Sequence, residues 1–219
     1  MEALSHVLDF FLHLDKHLLE VVQTYGTLSY AILFAVVFLE TGFVVTPFLP
    51  GDSLLFAAGA LAAAKALDIE WVLVVLCLAP MLGDTTNYWI GRVVGPRVFT
   101  GRNRFFKREH LIRTQRFYER HGGKTIVLAR FAPILRTFAP FVAGIAKMSY
   151  VRFLAFSVAG SLLWVPGFVC LGYFFGNLPI VKDNFSLAIL AIIFVSLIPM
   201  AVEAWKARKR DPAREGDPA

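Results

Sequence analysis

Charge is the commodity this chain has least of. Of its 219 residues only 17% are charged, where a soluble domain carries roughly a quarter. The deficit is uneven: charge sits in short blocks, and between them run apolar stretches near the roughly 20 residues a bilayer-spanning helix needs. Cysteine is scarce too. Cys77 and Cys170 both lie inside apolar stretches, which excludes a disulfide scaffold and reads as two small buried hydrophobes. His6, His13, His17, His110 and His121 are not grouped with acidic partners, so no metal site is expected. A nucleophile elbow, a phosphate-binding glycine loop and a dinucleotide fingerprint are all missing; neither a cofactor nor an enzyme is expected. The N-terminus lacks the basic head of a signal peptide and is interrupted by Glu2, Asp9, Asp15 and Glu20, the pattern of an uncleaved segment.

What is present is apolar mass with a basic balance. The chain is 57% hydrophobic, holds 21 Phe and 4 Trp, and has a formal net charge of +6. The basic residues flank apolar spans, which points to anionic headgroups and to orientation rather than to nucleic acid. The aromatic and basic mixture at 102–121 is read in the same way.

Residues 3–22 alternate Leu4, Leu8, Phe11, Leu12, Leu18 and Leu19 with Asp9, Asp15, Lys16 and Glu20. That pattern predicts an amphipathic helix, on the membrane surface or against the core. Residues 28–46 are apolar except for Glu40 and a few hydroxyls. Pro47, Pro50 and Gly51 then break the helix, with Asp52 or Ser53 placed to cap a new one from Leu54 to about Ala64. That limb is too short to span, so it is expected to turn back. Residues 71–91 read as a span carrying Asp84 and Asn87. A basic segment at 97–124, with Arg97, Arg102, Arg104, Lys107 and Arg108 among its cations, suits an interfacial helix. Residues 125–147 repeat the broken pattern around Arg130 to Pro140, with Pro133 and Pro140 as breakers. Residues 150–176 and 185–205 are long enough to span, and Pro166-Gly167 is placed to kink the first.

The two halves resemble each other. Gly59 to Gly144 is 85 positions, and so is Gly91 to Gly176. The expected architecture is an all-α polytopic membrane protein: two opposed re-entrant helical hairpins in an inverted repeat, with transmembrane and amphipathic interfacial helices. One membrane domain covers 1–208, with halves at about 28–96 and 122–180 and the basic segment 97–121 between them; 209–219 is a polar tail. Lysine and arginine bias puts the basic segment and the tail in the cytoplasm. Two crossings join them, so hairpin 48–64 opens outward and hairpin 125–147 inward, as in transporters whose broken helices meet near the midplane. The acidic balance of 1–27 places the N-terminus outside, a full crossing by 28–46 places it inside, and the sequence leaves that choice open.

An ionisable side chain at the bilayer centre costs about 2.5–3.5 kcal/mol, so each needs a reason. Glu40 and Asp52 flank the first break; Arg130 and Arg136 flank the second. If the hairpins meet, two carboxylates face two guanidiniums. Arginine binds phosphate bidentately and keeps its charge when buried, and half-helix N-termini after Pro50 and near Pro140 would add N–H donors. A carboxylate taken out of water can exchange a proton. The pattern therefore suggests arginines that hold a lipid phosphate and carboxylates that compete for them. The plainer alternative is structural ion pairs clamping two irregular hairpins. Asp84 is a secondary candidate, for pairing with an arginine or for capping a local break. Lys147 and Arg152 are expected to snorkel to the boundary.

At these residues the sequence resembles the DedA family of bacterial inner-membrane proteins, within the SNARE-associated, or VTT-domain, superfamily. The resemblance rests on Phe38-Leu39-Glu40-Thr41-Gly42, on Thr46-Pro47-Phe48-Leu49-Pro50-Gly51-Asp52-Ser53, and on Gly83-Asp84-Thr85-Thr86-Asn87-Tyr88. It extends through His121-Gly122-Gly123-Lys124 to the run from Ala129 to Pro140. It implies kinship with eukaryotic lipid scramblases, and movement of undecaprenyl phosphate or phosphatidylethanolamine across the inner membrane. It further implies dependence on the proton motive force and support of envelope integrity. The family's essential acidic pair falls on Glu40 and Asp52, and its arginine pair on Arg130 and Arg136. The expected partners are membrane lipids and protons, with a homo-oligomer left open. Two other functions compete: a proton-coupled cation antiporter, which two arginines at the same depth oppose, and a non-transporting scaffold for envelope assembly.

Overall fold

The computed structural model describes residues 14–43, 51–98, 123–176, 178, 179 and 181. Helices alone make up the regular structure of the described residues, in chain order α1 Leu14–Tyr25, α2 Leu28–Gly42, α3 Gly51–Ala63, α4 Ile69–Val98, α5 Lys124–Ala129, α6 Pro133–Ile145 and α7 Tyr150–Phe175. Among the described residues, two stretches are long and apolar enough to cross a membrane: Ile69–Val94 of α4, and α7. Each has 26 residues, about 39 Å of helix against roughly 30 Å of hydrocarbon. Only 33% of each apolar window is buried, so most of it faces outward, unlike the core helix of a soluble protein. The 15 residues of α2 and 13 of α3 and α6 reach only about 20 Å and fall short of a crossing.

The amphipathic α1 follows its expected period, with Leu18 buried and Glu20 exposed. It packs on α2 and α3 and runs on to Tyr25, past the expected end at 22; the part before Leu14 lies outside the described residues. So do the span at 185–205, the tail, and the basic segment beyond Val98. Helix α4 runs from Ile69 to Val98, beyond the expected 71–91 at both ends and through Pro96 and Arg97.

The first break is displaced toward the N-terminus, since α2 ends at Gly42 rather than near residue 46, and the second is shorter than the sequence suggested. Helix α3 begins at Gly51, so Asp52 and Ser53 stand in its first turn rather than ahead of it. Pro47 and Pro50 lie outside the described residues. The second break is three residues, 130–132. Arg130, Phe131 and Ala132 each donate to the carbonyl three positions back, and Ala132 is extended at φ −120° and ψ 113°, the conformation a following proline imposes. Pro133 then opens α6, where a missing N–H costs no helical bond. Pro140 does not break the helix: it lies inside α6. Its ring removes one bond, to the Arg136 carbonyl, and beside it the Thr137 carbonyl accepts from Asn87 of α4. The N-terminus near the arginines is accordingly at Pro133, not near Pro140. Helix α7 continues through Pro166.

Each short limb lies on a long helix by the same device. On the pair α3 and α7, Gly59 meets the Val169 carbonyl and Gly172 meets the Phe56 carbonyl. On the pair α6 and α4, Gly144 meets the Tyr88 carbonyl and Gly91 meets the Phe141 carbonyl. A side-chain carbon at any of the four would enter the facing backbone, so glycine is required for helices this close. The sequence comparison of Gly91 with Gly176 is thus one helical turn out of step with the contacts, in which Gly172 plays that part. Both limbs also end alike. Lys65 (φ 61°) and Lys147 (φ 55°) are left-handed. Ala66 and Met148 donate five positions back, to Leu61 and Ala143, the bond that closes a Schellman turn. Lys147 and Arg152 are exposed.

Candidate functional site

The polar residues of these helices converge where the breaks meet the long helices. Glu40 comes from the last turn of α2, Asp52 from the first turn of α3, and Arg136 from the first turn of α6. Arg130 caps α5, and Asp84 projects from the middle of α4. All five are buried, Glu40 completely and Arg136 to 6% exposure.

Arg136 uses its fork on both acids of the first half. Nη1 donates to Asp52 Oδ1 at 2.7 Å, and Nη2 donates to Glu40 Oε1. The Gly51 N–H donates to the same Glu40 oxygen at 3.3 Å, and a side chain at Gly51 would occupy the place of that carboxylate. Glycine at the start of α3 is therefore what lets Glu40 reach Arg136.

Arg130 does not join the acidic pair. It is ion-paired with Asp84, and its Nη2 lies 3.4 Å from both the hydroxyl and the carbonyl of Ser157 on α7. The Ser157 hydroxyl donates to Asp84 Oδ2 at 2.6 Å. Asp84 thus pairs with an arginine and caps no break. The expected meeting of two carboxylates with two guanidiniums becomes, among the described residues, a group of three carboxylates and two guanidiniums in two adjoining sets.

Trp164 of α7 connects the sets. Its indole lies beneath both guanidiniums, with ring centroids 5.0 Å from Arg136 and 5.8 Å from Arg130, and its Nε1–H donates to Asp52 Oδ1 at 2.9 Å. Neither Trp164 nor Ser157 was singled out from the sequence. Their signal is a stripe of Ser157, Gly160, Ser161 and Trp164 at helical spacing in an otherwise apolar helix, a narrow polar face. Gly160 on that stripe gives way to the Arg130 side chain.

Asn87 of α4 fixes both breaks. Its Nδ2 donates to the Thr41 carbonyl at 3.2 Å and to the Thr137 carbonyl at 2.7 Å, so one amide ties a carbonyl orphaned at the end of α2 to the first half of α6. Glu40 Oε2, Asn87 Oδ1, Arg130 Nε and Arg136 Nε are buried without a hydrogen-bond partner among the described residues. Among the described residues no three His, Cys, Asp or Glu side chains are placed to hold one metal ion. Cys77 and Cys170 are free; Cys77 is partly buried and Cys170 exposed.

Residues 49–174 match the VTT domain. The chain is 52% identical to protein DedA of Escherichia coli strain K12 over 217 residues, 98% of this chain and 99% of that protein. It is 44% identical to an uncharacterized membrane protein of Mycobacterium tuberculosis over 189 residues, 84% of this chain and 83% of that one. It is 32% identical to the inner membrane protein YghB of Escherichia coli strain K12 over 195 residues, 89% and 84% of the two chains. No solved structure matches it. With a VTT domain over most of its length, apolar helices long enough to cross a bilayer, and these relatives, the chain belongs to the DedA family of membrane proteins.

Proposed function

We propose that the protein is a transporter rather than an enzyme, and that it moves a phosphate-bearing lipid such as undecaprenyl phosphate or phosphatidylethanolamine across a bacterial inner membrane. The observation that carries this reading is the Arg136 fork, held at full burial between Glu40 and Asp52 where the first turns of two short helices meet. A guanidinium that grips two carboxylate oxygens has the geometry to grip two phosphate oxygens. A phosphate arriving at Arg136 replaces the acids, and protons taken up by Glu40 and Asp52 neutralise what it displaces. Exchange of protons at the displaced carboxylates would link lipid movement to the proton gradient. Asp84 acts toward Arg130 as the acidic pair acts toward Arg136.

The reading takes α2 with α3, and α5 with α6, as opposed re-entrant hairpins of an inverted repeat in a multi-pass protein with a cytoplasmic C-terminus. The matching glycine contacts and the matching turns at Lys65 and Lys147 support it. A cation antiporter fits less well, since both buried guanidiniums repel a cation at the same depth. The test is leaflet-resolved movement of labelled lipid in liposomes holding purified protein, against Arg136→Ala at matched protein level. Wild type should outpace protein-free vesicles and the variant should not. Movement of no anionic or zwitterionic lipid would remove the proposal.

A further inference from the structure

We infer that Trp164 is a positioning residue for the phosphate site, holding both arginines in place and keeping a donor on Asp52 while the carboxylates paired with Arg136 give way to the ligand. The inference rests on the transport reading and adds to it a residue from outside both breaks. Three contacts carry it. Arg136 and Arg130 both lie over the indole, at 5.0 and 5.8 Å, a cation–π arrangement that is stronger when desolvated. Asp52 Oδ1 accepts from Arg136 at 2.7 Å and from the indole N–H at 2.9 Å. The ring is 1% exposed, so no rotation toward water competes.

These contacts differ in what a ligand does to them. An anion on the outer edge of the guanidinium breaks the hydrogen bond from Arg136 to Asp52. It leaves the ring face beneath the cation undisturbed, and it leaves the indole donor on the Asp52 oxygen. Trp164 thereby lowers the cost of parting Asp52 from Arg136, because a buried acceptor that keeps a donor pays less for losing another. The indole also lies against both guanidiniums, so one ring positions both cations. The ligand class is a phosphate monoester or diester, borne by a lipid or free.

Trp164→Phe keeps a ring and removes the N–H. In liposomes it should raise the half-saturating fraction of labelled phosphate lipid about tenfold, the loss expected for one hydrogen bond to a charged group, with the maximal rate nearly unchanged. Trp164→Leu, which removes the ring as well, should lower the maximal rate too. A second readout uses the chain with Trp71, Trp89 and Trp205 replaced by phenylalanine, so that emission reports on Trp164 alone. Emission should shift with dihexanoyl phosphatidic acid and not with the matching diacylglycerol; a shift with inorganic phosphate as well would assign the site to free phosphate. If wild type moves lipid while Trp164→Phe matches it in half-saturation and emission ignores phosphatidic acid, the inference is overturned and the transport reading stands. If wild type moves no lipid while emission responds, the transport reading fails and the indole's place at a phosphate site stands.

Discussion

Asp52 and Arg136 are 84 positions apart in the chain, and their side chains are joined by a 2.7 Å hydrogen bond in the buried interior. Arg136 donates to Glu40 through its other terminal nitrogen, so a single fork spans two acids. Arg136→Lys keeps the charge but replaces the fork with one ammonium. It should leave abundance near wild type and lower lipid movement about 10- to 100-fold, the cost of losing a bidentate contact. Movement at the wild-type rate with lysine would show that charge alone suffices.

Arg136→Ala leaves Glu40 and Asp52 buried without the cation between them. Stability should fall by about 3–5 kcal/mol, the cost of stranding one side of a buried pair. The triple variant with Glu40→Gln, Asp52→Asn and Arg136→Gln should recover much of that loss and move no lipid. Thermal unfolding in detergent measures the first and the liposome assay the second. A triple variant less stable than Arg136→Ala would mean that the acids do not depend on Arg136.

Asp84→Asn removes the charge opposite Arg130 and leaves the Asp52–Arg136 bond in place. Lipid movement should fall by at least about tenfold, since a charged hydrogen bond is lost. Ser157→Ala, which removes one donor from the Asp84 carboxylate and leaves both charges in place, should lower lipid movement less than Asp84→Asn does in the same liposome assay. Equal effects of the two substitutions would argue that the pair is held by shape rather than charge.

Gly51→Ala places a methyl group where the Glu40 carboxylate lies. It should abolish lipid movement while the protein still folds. Among the glycines of the helix contacts, Gly59→Ala and Gly144→Ala should each cost about 1–3 kcal/mol as the helices are forced apart. Gly167, with nothing near its missing side chain, provides the contrast: Gly167→Ala should be neutral or stabilise by up to about 1 kcal/mol. Melting temperatures in one detergent would rank all four, and an equal loss at Gly167 would refute the close-packing argument.

The sequence displayed the parts of this site more plainly than their pairing. Glu40, Asp52, Asp84, Arg130 and Arg136 stand out because charge in an apolar run demands a partner, and all five are buried together. Which acid meets which arginine depends on how the limbs pack on α4 and α7, and no local pattern records that. Sequence reasoning therefore grouped Arg130 with Glu40 and Asp52, whereas it belongs to Asp84. Pro140 was misread for a related reason: a proline lowers the odds of a helix, but tertiary contacts decide whether one lost bond ends it. Ser157 and Trp164 were passed over because serine and tryptophan are ordinary in membrane helices. Only their alignment with Gly160 and Ser161 on one face separates them from background.

The glycine contacts divide the molecule in a way that sorts its charges. Helices α3 and α7 are fused backbone to backbone, and so are α4 and α6; α2 is bound to that second unit through Gly42 against Gly83 and through Asn87. Glu40 and Arg136 consequently ride on one block, while Asp52 and Trp164 ride on the other. A slip along the boundary would part Asp52 from Arg136 and the Gly51 N–H from Glu40, and would leave the bond between Glu40 and Arg136 intact. The two acids that look equivalent in the sequence are mechanically unlike: Asp52 meets Arg136 across the seam, whereas Glu40 meets it within one block and crosses the seam only to a backbone N–H.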